Sequence, residues 1–206
     1  MIRDPKDLKR YTASERANHW VIGMCFILLA LSGLAFFHPA FFPLTMLFGG
    51  AVWARILHPF IGVLMAISFF IIFVRFWAIN KMTRTDVEWL KRAREMVTGD
   101  DHNMPEQGKY NGGQKALFWS LGVCMALMLL SGILLWRAYF GFDIGLVRLG
   151  AVVHAAVAAV MIAFIMVHIY AAIWVKGTVR AMWYGTVTRA WAKQHHRAWY
   201  RQVTGK

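Results

Sequence analysis

The chain has 206 residues, of which 59% are hydrophobic and 15% aromatic, and it carries a formal net charge of +13. A soluble domain of this length has too small a core to bury so much apolar surface, so the composition excludes an ordinary soluble fold. The basic residues cluster between the apolar runs, which is typical of a membrane protein and argues against nucleic-acid binding.

The first apolar run, Trp20–Phe37, has no charged residue and predicts a membrane-spanning helix at about 17–37 that opens with His19. Basic residues precede it, as in a secretory signal peptide. However, the run is longer than a typical signal core and ends in further aromatic residues, which favours an uncleaved helix. The two cysteines, Cys25 here and Cys124 in the third run, are predicted to be small buried hydrophobes.

The second apolar run, Ile56–Val74, predicts a span at about 53–78 with His58 near its start. Pro59 is predicted to lie in the first helical turn, where a missing backbone N–H is tolerated.

The loop after the second span contains Thr85 and Glu88 at the spacing of a capping box. This spacing predicts a short amphipathic helix. Its apolar face would be lined by Trp89, Leu90, Met96 and Val97.

The third and fourth runs predict spans at about 115–137 and 149–176, and the fourth contains His154 and His168. The basic, aromatic segment 187–201 is predicted to lie at the membrane surface, with a simple solvated tail as the alternative.

The distribution of positive charge predicts the orientation of the helices. Segments 1–18, 75–115 and 176–206 carry five, eight and seven of the 23 Lys and Arg residues, whereas 38–55 and 137–148 carry one and two. Both termini and the middle loop should therefore face the cytoplasm. The predicted fold class is all-α: one membrane domain over residues 1–206, an integral membrane four-helix bundle with short cytoplasmic amphipathic helices.

A weak internal repeat relates the two halves of the chain. Leu31-Ser32-Gly33 near the end of the first span recurs as Leu130-Ser131-Gly132 near the end of the third, and a histidine opens each following span. The repeat suggests two related helical hairpins.

Four histidines lie at membrane depth, where ionisable groups are costly and usually functional, although a lone one is as often an interhelical hydrogen-bonding residue. His154 and His168 are 14 residues apart, which puts them on one face of the fourth helix and about 21 Å apart in depth. The remaining two match these depths. The predicted pairs are His58 with His154 on the outer side and His19 with His168 on the inner side.

Paired imidazoles in a helical bundle are the ligands of a b-type electron-transfer haem. No Cys-x-x-Cys-His motif occurs, which excludes covalent attachment, and zinc fits poorly because no carboxylate or thiolate is level with either pair. The sequence predicts two haem b groups.

The other histidines are predicted to be interfacial or solvated residues rather than haem ligands: His38, His102, His195 and His196. Haem propionates need cationic partners, and the candidates are Arg55 and Arg137 on the outer side and Arg16 on the inner side.

Six motifs spread over almost the whole chain carry a family resemblance: Glu15–Trp20, Arg55–Phe60, Gly108–Lys115, Trp136–Phe140, His168–Gly177 and Trp191–Arg201. In these motifs the sequence closely resembles the gamma subunit (cytochrome b556) of respiratory membrane-bound formate dehydrogenases. These proteins belong to the di-haem cytochrome b family that also contains the cytochrome b subunits of nickel–iron hydrogenases.

The resemblance implies a subunit without a complete active site of its own. It would anchor an iron–sulfur beta subunit and a molybdenum- or tungsten-containing catalytic alpha subunit at the bacterial inner membrane, in a trimer of heterotrimers. Electrons from formate would pass from the outer to the inner haem and reduce menaquinone or ubiquinone near the cytoplasmic face. Membrane lipid would be a further partner, and no nucleic acid would be involved.

The resemblance also implies a quinone site at Asn111, Gly113 and Gln114, with His168 as both haem ligand and neighbour. Side-chain amides can bond a quinone carbonyl, and glycine lets the backbone approach a flat ring. On spacing alone, the same residues could be an ordinary polar turn that enters a helix.

Three other functions remain open at this point: the cytochrome b of an uptake nickel–iron hydrogenase, a stand-alone di-haem enzyme, and a transporter or haem-free anchor. The Gly108–Lys115 and Trp191–Arg201 motifs favour the formate family.

Overall fold

The computed structural model of the chain describes residues 4–98, 104–137 and 139–205, without the side chains of residues 96 and 97. The described helices and strands, in chain order, are β1 (Leu8–Lys9), α1 (Ala13–Phe37), a 3-10 helix (Pro39–Phe48), α2 (Ala51–Phe76), a second 3-10 helix (Ala78–Asn80), α3 (Arg84–Lys91), α4 (Ala93–Thr98), α5 (Gly112–Leu135), α6 (Ile144–Trp174), α7 (Thr178–Tyr184), β2 (Thr186–Val187), α8 (Arg189–His195) and α9 (Arg197–Thr204).

Four of these helices, α1, α2, α5 and α6, are long and apolar enough to cross a membrane. The predicted all-α fold with four membrane-length helices is therefore confirmed. The helices begin three to five residues before the predicted spans in α1, α5 and α6. Polar residues extend α1 and α5 beyond their apolar runs, and in α6 the apolar residues 144–147 extend the helix past Arg148.

The start of α2 corrects the interpretation of Pro59. The helix begins at Ala51, so Pro59 lies in the helix interior and not in the first turn. The preceding 3-10 helix ends at Phe48, and the φ angles of 84° and 100° at the following Gly49 and Gly50 favour glycine and let the chain turn into α2 ahead of the apolar run. Pro59 cannot donate to the carbonyl of Arg55, one turn earlier, so the helical hydrogen bonding is interrupted next to His58.

The chain divides into two compact units, and the first is the four-helix unit, residues 17–74 and 121–166. Its buried cluster consists entirely of sulfur-containing side chains: Cys25, Met65, Cys124, Met125 and Met161. Both cysteines are free and buried, as predicted. The thiol and thioether groups pack as polarisable apolar groups.

The second, or terminal, unit comprises the described parts of Met1–Arg16, Arg75–Ser120 and Val167–Lys206. Its two-residue strands β1 and β2 pair antiparallel and join the two ends of the chain. Its buried cluster comes mainly from the C-terminal segment: Ala181, Val187, Trp191, Ala192 and Trp199. The alternative of a simple solvated tail is therefore wrong for 187–201, because its tryptophans are buried.

The loop after α2 also differs from expectation. The capping box is formed by Thr83 and Asp86, not by Thr85 and Glu88, and α3 begins at Arg84. A second helix, α4, follows as a separate element, and the Met96 and Val97 side chains lie outside the described structure. Thr83 satisfies the exposed N–H groups at the helix start two residues earlier than the sequence pattern indicated.

Candidate functional site

His58 of α2 and His154 of α6 face each other inside the four-helix unit. Their ring centres lie 6.3 Å apart, and the ring planes are inclined at 61°. A metal bound between two imidazoles needs about 2 Å per metal–nitrogen bond, and roughly 1 Å more from each nitrogen to its ring centre, or about 6 Å in all. The two imidazoles therefore have the spacing at which they could hold one haem iron between them.

Each of these two histidines has a serine partner on the preceding helix. The Ser32 Oγ lies 2.7 Å from Nδ1 of His58, and the Ser131 Oγ lies 2.9 Å from Nδ1 of His154. Both hydroxyls already donate within their own helix, to the carbonyls of Leu28 at 2.8 Å and Leu127 at 2.6 Å.

These contacts assign the histidine tautomer. A hydroxyl has one proton, and since the serine donates it to a carbonyl, the imidazole Nδ1–H must be the donor to Oγ. Nε2 of each ring then keeps its lone pair, the form that binds a metal. The interhelical hydrogen bond that could have explained a lone membrane histidine is present here. It uses only one nitrogen of each ring.

The glycine after each serine gives the weak internal repeat a structural basis. A Cβ placed on Gly33 would lie 3.6 Å from Cε1 of His58, and one placed on Gly132 would lie 3.5 Å from Cε1 of His154. The Leu-Ser-Gly triplets of α1 and α5 therefore contact equivalent histidines in the same way: serine bonds Nδ1, and glycine lies beside Cε1 of the ring.

Replacing Ser32 or Ser131 with alanine is expected to weaken haem binding at this pair by roughly 10- to 100-fold, the usual cost of losing a hydrogen bond to a metal ligand. Retention of haem by the purified complex during challenge with excess apomyoglobin measures this. Ser68→Ala removes another buried serine of the four-helix unit and is the matched control. Equal haem loss from the control would contradict the assigned role.

The second predicted pair lies on α1 and α6. His19 is half-buried, and its ring packs edge-on against Trp20, with 5.8 Å between ring centres. His168 lies on the continuous helix α6 and has an exposed side chain. Because His19 belongs to the four-helix unit and His168 to the terminal unit, their pairing stays a prediction.

The predicted quinone-site residues Asn111 and Gln114 cap the first turn of α5. The Gln114 backbone N–H donates to Asn111 Oδ1 at 2.9 Å, and the Asn111 N–H donates to Gln114 Oε1 at 3.0 Å. This reciprocal pair corresponds to the polar turn that was the alternative interpretation. It uses the oxygen of each side-chain amide and leaves the two NH₂ groups as donors, which are the groups that a quinone carbonyl requires.

Gly112 and Gly113 let α3 pack closely on this turn. A Cβ on Gly112 would lie 2.5 Å from the Asp86 carbonyl oxygen, and one on Gly113 would lie 2.9 Å from the Trp89 ring. Glycine was expected to let the backbone approach a quinone ring, but in this structure the flat ring next to Gly113 is the Trp89 indole.

A buried ion pair joins the same two helices. Lys115 Nζ lies 2.7 Å from Asp86 Oδ2, and both side chains are largely buried. Burial raises the pKa of Asp86, but hydrogen bonds from Lys115 and Thr83 lower it by more, so the pKa lies below its usual range.

The three arginines proposed as propionate partners differ in their surroundings. Arg55 and Arg137 are exposed. Arg16 donates from Nη1 to the Trp183 carbonyl at 3.3 Å within the terminal unit. Their role as propionate partners stays a prediction.

The prediction that the remaining histidines are interfacial or solvated is correct only in part. His38 is exposed and caps the 3-10 helix that follows α1, whereas His102 lies outside the described residues. His195 is half-buried. For His196 the prediction is wrong, because its side chain is 1% exposed.

Sequence reasoning missed the surroundings of His196. Its Nδ1 lies 2.7 Å from the Gly108 carbonyl oxygen and its Nε2 lies 3.3 Å from Nη2 of Arg10, which is itself 4% exposed. Burial, with the nearby charge of Arg10, lowers the pKa of His196 from 6.5 to about 3, although the bond to Gly108 opposes the shift. In the sequence, His196 follows His195 in a charged segment, and this pattern does not predict a buried side chain.

The lowered pKa predicts acid loosening of the C-terminal segment. An unfolded histidine takes up its proton below about pH 6.5 and the folded His196 only near 3, so stability is complete above 6.5 and falls as pH decreases through that window. At pH 5 the expected loss is about 2 kcal/mol. Hydrogen exchange of residues 197–204 at pH 7 and pH 5, compared after correction for intrinsic rates, measures it. His196→Gln, which does not titrate, should remove most of the difference.

Comparison with known proteins gives one matching family and several close relatives. The family profile of prokaryotic cytochrome b561 matches residues 10–185. The formate dehydrogenase cytochrome b556(fdo) subunit of Escherichia coli K12 is 48% identical over 94% of this chain and 92% of its own length. The nitrate-inducible cytochrome b556(Fdn) subunit of the same organism is 41% identical over 92% and 88%, respectively. The formate dehydrogenase cytochrome b556 subunit of Haemophilus influenzae is 40% identical over 94% and 82%.

Proposed function

Because the chain belongs to the prokaryotic cytochrome b561 family, and its close relatives are cytochrome b subunits of formate dehydrogenase, we propose that it is the di-haem b membrane subunit of a formate:quinone oxidoreductase. It would pass electrons from formate oxidation across the membrane to a quinone. The active site for formate would belong to another subunit of the complex.

The observation that carries the haem part of the proposal is the pair His58 and His154, 6.3 Å apart between ring centres, each with its Nδ1 bonded to a serine. When bound, haem b would supply one-electron transfer. The chain supplies the ligands: His58 and His154 for the outer haem, and His19 and His168 for the inner one. Since the depth of His168 below His154 follows from one continuous helix, the two haems would lie on a path across the membrane.

The quinone would bind at the start of α5, at Asn111, Gly113 and Gln114, with His168 nearby. The NH₂ groups of the capped amides, which make no hydrogen bond among the described residues, support this, because menaquinone and ubiquinone both offer carbonyl acceptors. Arg55 and Arg137, both exposed, would pair with outer haem propionates and Arg16 with an inner one.

The remaining parts of the proposal concern assembly and location. The subunit would sit in the bacterial inner membrane with both termini in the cytoplasm, as the distribution of Lys and Arg favours. An iron–sulfur subunit would deliver electrons on the outer side from a catalytic subunit that contains molybdenum or tungsten, in a higher oligomer of heterotrimers.

The test is the reduced-minus-oxidised spectrum of the purified native complex after anaerobic addition of formate, together with a pyridine haemochrome count. Two b haems per chain that formate reduces and added quinone reoxidises are the expected result. Reduction by hydrogen but not by formate would move the subunit to a nickel–iron hydrogenase. An intact complex without a Soret band would contradict the haem assignment.

A further inference from the structure

Three consecutive carbonyl groups just before α5 are bound by groups from the two ends of the chain. The backbone N–H groups of residues 198 and 199 donate to the Gln107 oxygen at 3.1 and 3.4 Å. His196 Nδ1 lies 2.7 Å from the Gly108 oxygen, and Arg10 Nη2 donates to the Lys109 oxygen at 2.5 Å. We refer to Arg10, His196 and these two N–H groups as the carbonyl clamp.

The side chains of the clamp are themselves held in place. The Arg10 guanidinium lies over the rings of Trp191 and Trp199, 4.9 and 5.0 Å from their centres, and its backbone N–H donates to the Gly185 oxygen at 2.8 Å. Cation–π contacts of this kind stabilise a desolvated guanidinium. The position of Arg10 is therefore fixed from the side chain and from the backbone.

His196 fits the clamp in only one neutral form. The Gly108 carbonyl can only accept, so Nδ1 must carry the proton and Nε2 must accept from Arg10. Arg10 and His196 thus bind each other and also bind adjacent carbonyls. A protonated His196 would have a second N–H directed at the Arg10 cation.

Little backbone freedom remains between the clamp and the capping amides. Tyr110, the one residue between Lys109 and Asn111, packs edge-on against Phe76 with 6.2 Å between ring centres. Asn111 is then fixed by its reciprocal bonds with Gln114. A displacement of the Lys109 carbonyl is therefore transmitted to the amide groups that start α5.

We propose that Arg10 and His196 are positioning residues for quinone binding: they hold residues 107–109 so that the Asn111 and Gln114 amides keep their NH₂ groups directed at the substrate. This inference rests on the quinone site of the proposed function. Neither residue would touch the quinone. Loss of His196 would therefore weaken binding without removing a haem or slowing the chemistry of bound quinone.

The experiment compares four variants of the purified complex with formate as donor and decylubiquinone and menadione as separate acceptors: His196→Ala, His196→Gln, His195→Ala and Asn111→Ala. A distant mutation that misplaces the groups of a site can reduce its activity by up to roughly 100-fold. His196→Ala should raise the quinone KM by about tenfold or more and leave kcat within about twofold, the pattern of lost uniform binding. His196→Gln, whose amide can donate to Gly108, should restore most of the affinity, and His195→Ala should resemble wild type.

Four outcomes would overturn the inference, provided that the haem count confirms assembly. An unchanged quinone KM in His196→Ala would show that the clamp does not affect the site. A similar rise in His195→Ala, or no rescue by glutamine, would indicate general loosening of the tail. Wild-type quinone kinetics in Asn111→Ala would contradict the proposed location of the quinone site. This outcome separates failure of the proposed function from failure of the clamp.

Discussion

Replacing His154 with alanine is expected to reduce the haem content of the complex from two b haems per chain to one and to stop electron transfer from formate to quinone. In the proposed site, His154 and His58 would hold one iron between them, and their ring-centre distance of 6.3 Å fits this role, so neither imidazole should be sufficient alone. The other predicted ligand on α6, His168, lies about 21 Å away along the helix and should keep its haem. A pyridine haemochrome count and a formate-reduced spectrum measure both effects.

Two further variants separate loss of a ligand from failure of assembly. His154→Met retains an axial ligand, so it should keep two haems while the potential of one rises, as it does when methionine replaces histidine in b-type and c-type ligation. His38→Ala, which removes an exposed histidine outside the spans, should keep both haems at wild-type potential. Loss of both haems from His154→Met would contradict the pairing of His58 with His154.

The features that could be predicted from the sequence depend on strong local signals. Four apolar runs of membrane length have few alternative structures. Four histidines at matching depths in such runs are usually functional, whereas a lone one is as often a hydrogen-bonding residue. The pairing of His58 with His154 followed from matching depth, because each lies near the start of a span and the Lys and Arg distribution predicts that both spans run inward. The role of Ser32 and Ser131 was present in the sequence as a repeated triplet, but its chemical meaning required the distance to Nδ1.

The features that could not be predicted depend on contacts between distant parts of the chain. Thr83 and Thr85 each precede a carboxylate by three residues. The capping box forms at Thr83, whose partner Asp86 is also bound by Lys115 from another helix. His196 resembles a solvated residue of a basic tail, and only its contacts with Arg10 and Gly108, 186 and 88 residues away, bury it. A charged sequence segment predicts an exposed side chain only when no distant residue offsets the free-energy cost of burying it.

The second large effect is expected from the buried ion pair of Asp86 and Lys115. Three donors converge on the single oxygen Oδ2 of Asp86: the Thr83 backbone N–H, the Thr83 hydroxyl and Lys115 Nζ. Asp86→Asn keeps an acceptor oxygen of the same size, but it leaves the Lys115 ammonium buried without a counter-charge. Breaking a buried pair in this way costs about 3 kcal/mol or more, so protection of α3 amides from hydrogen exchange should fall by about 100-fold.

Three comparisons show whether charge is the cause. Asp86→Ala also loses the capping bonds of Thr83 and should cost more than Asp86→Asn. Lys115→Met with Asp86→Asn removes both charges and should recover part of the loss, since a buried ion pair can be replaced by uncharged groups at little cost. Glu95→Gln disrupts the partly exposed pair with Arg92 and should leave α3 protected as in the wild type. Equal losses in Asp86→Asn and Glu95→Gln would contradict the electrostatic explanation.

Acidification distinguishes this ion pair from the His196 contact, because the two groups titrate in different windows. The Asp86 contribution is complete above its ordinary pKa of 3.8 and is lost only as the pH falls through the lower value of the folded state. The His196 contribution is already decreasing below pH 6.5. Between pH 6.5 and 4, exchange should therefore accelerate in α9 while α3 stays protected, and simultaneous opening of both helices would show that they unfold as one cooperative segment.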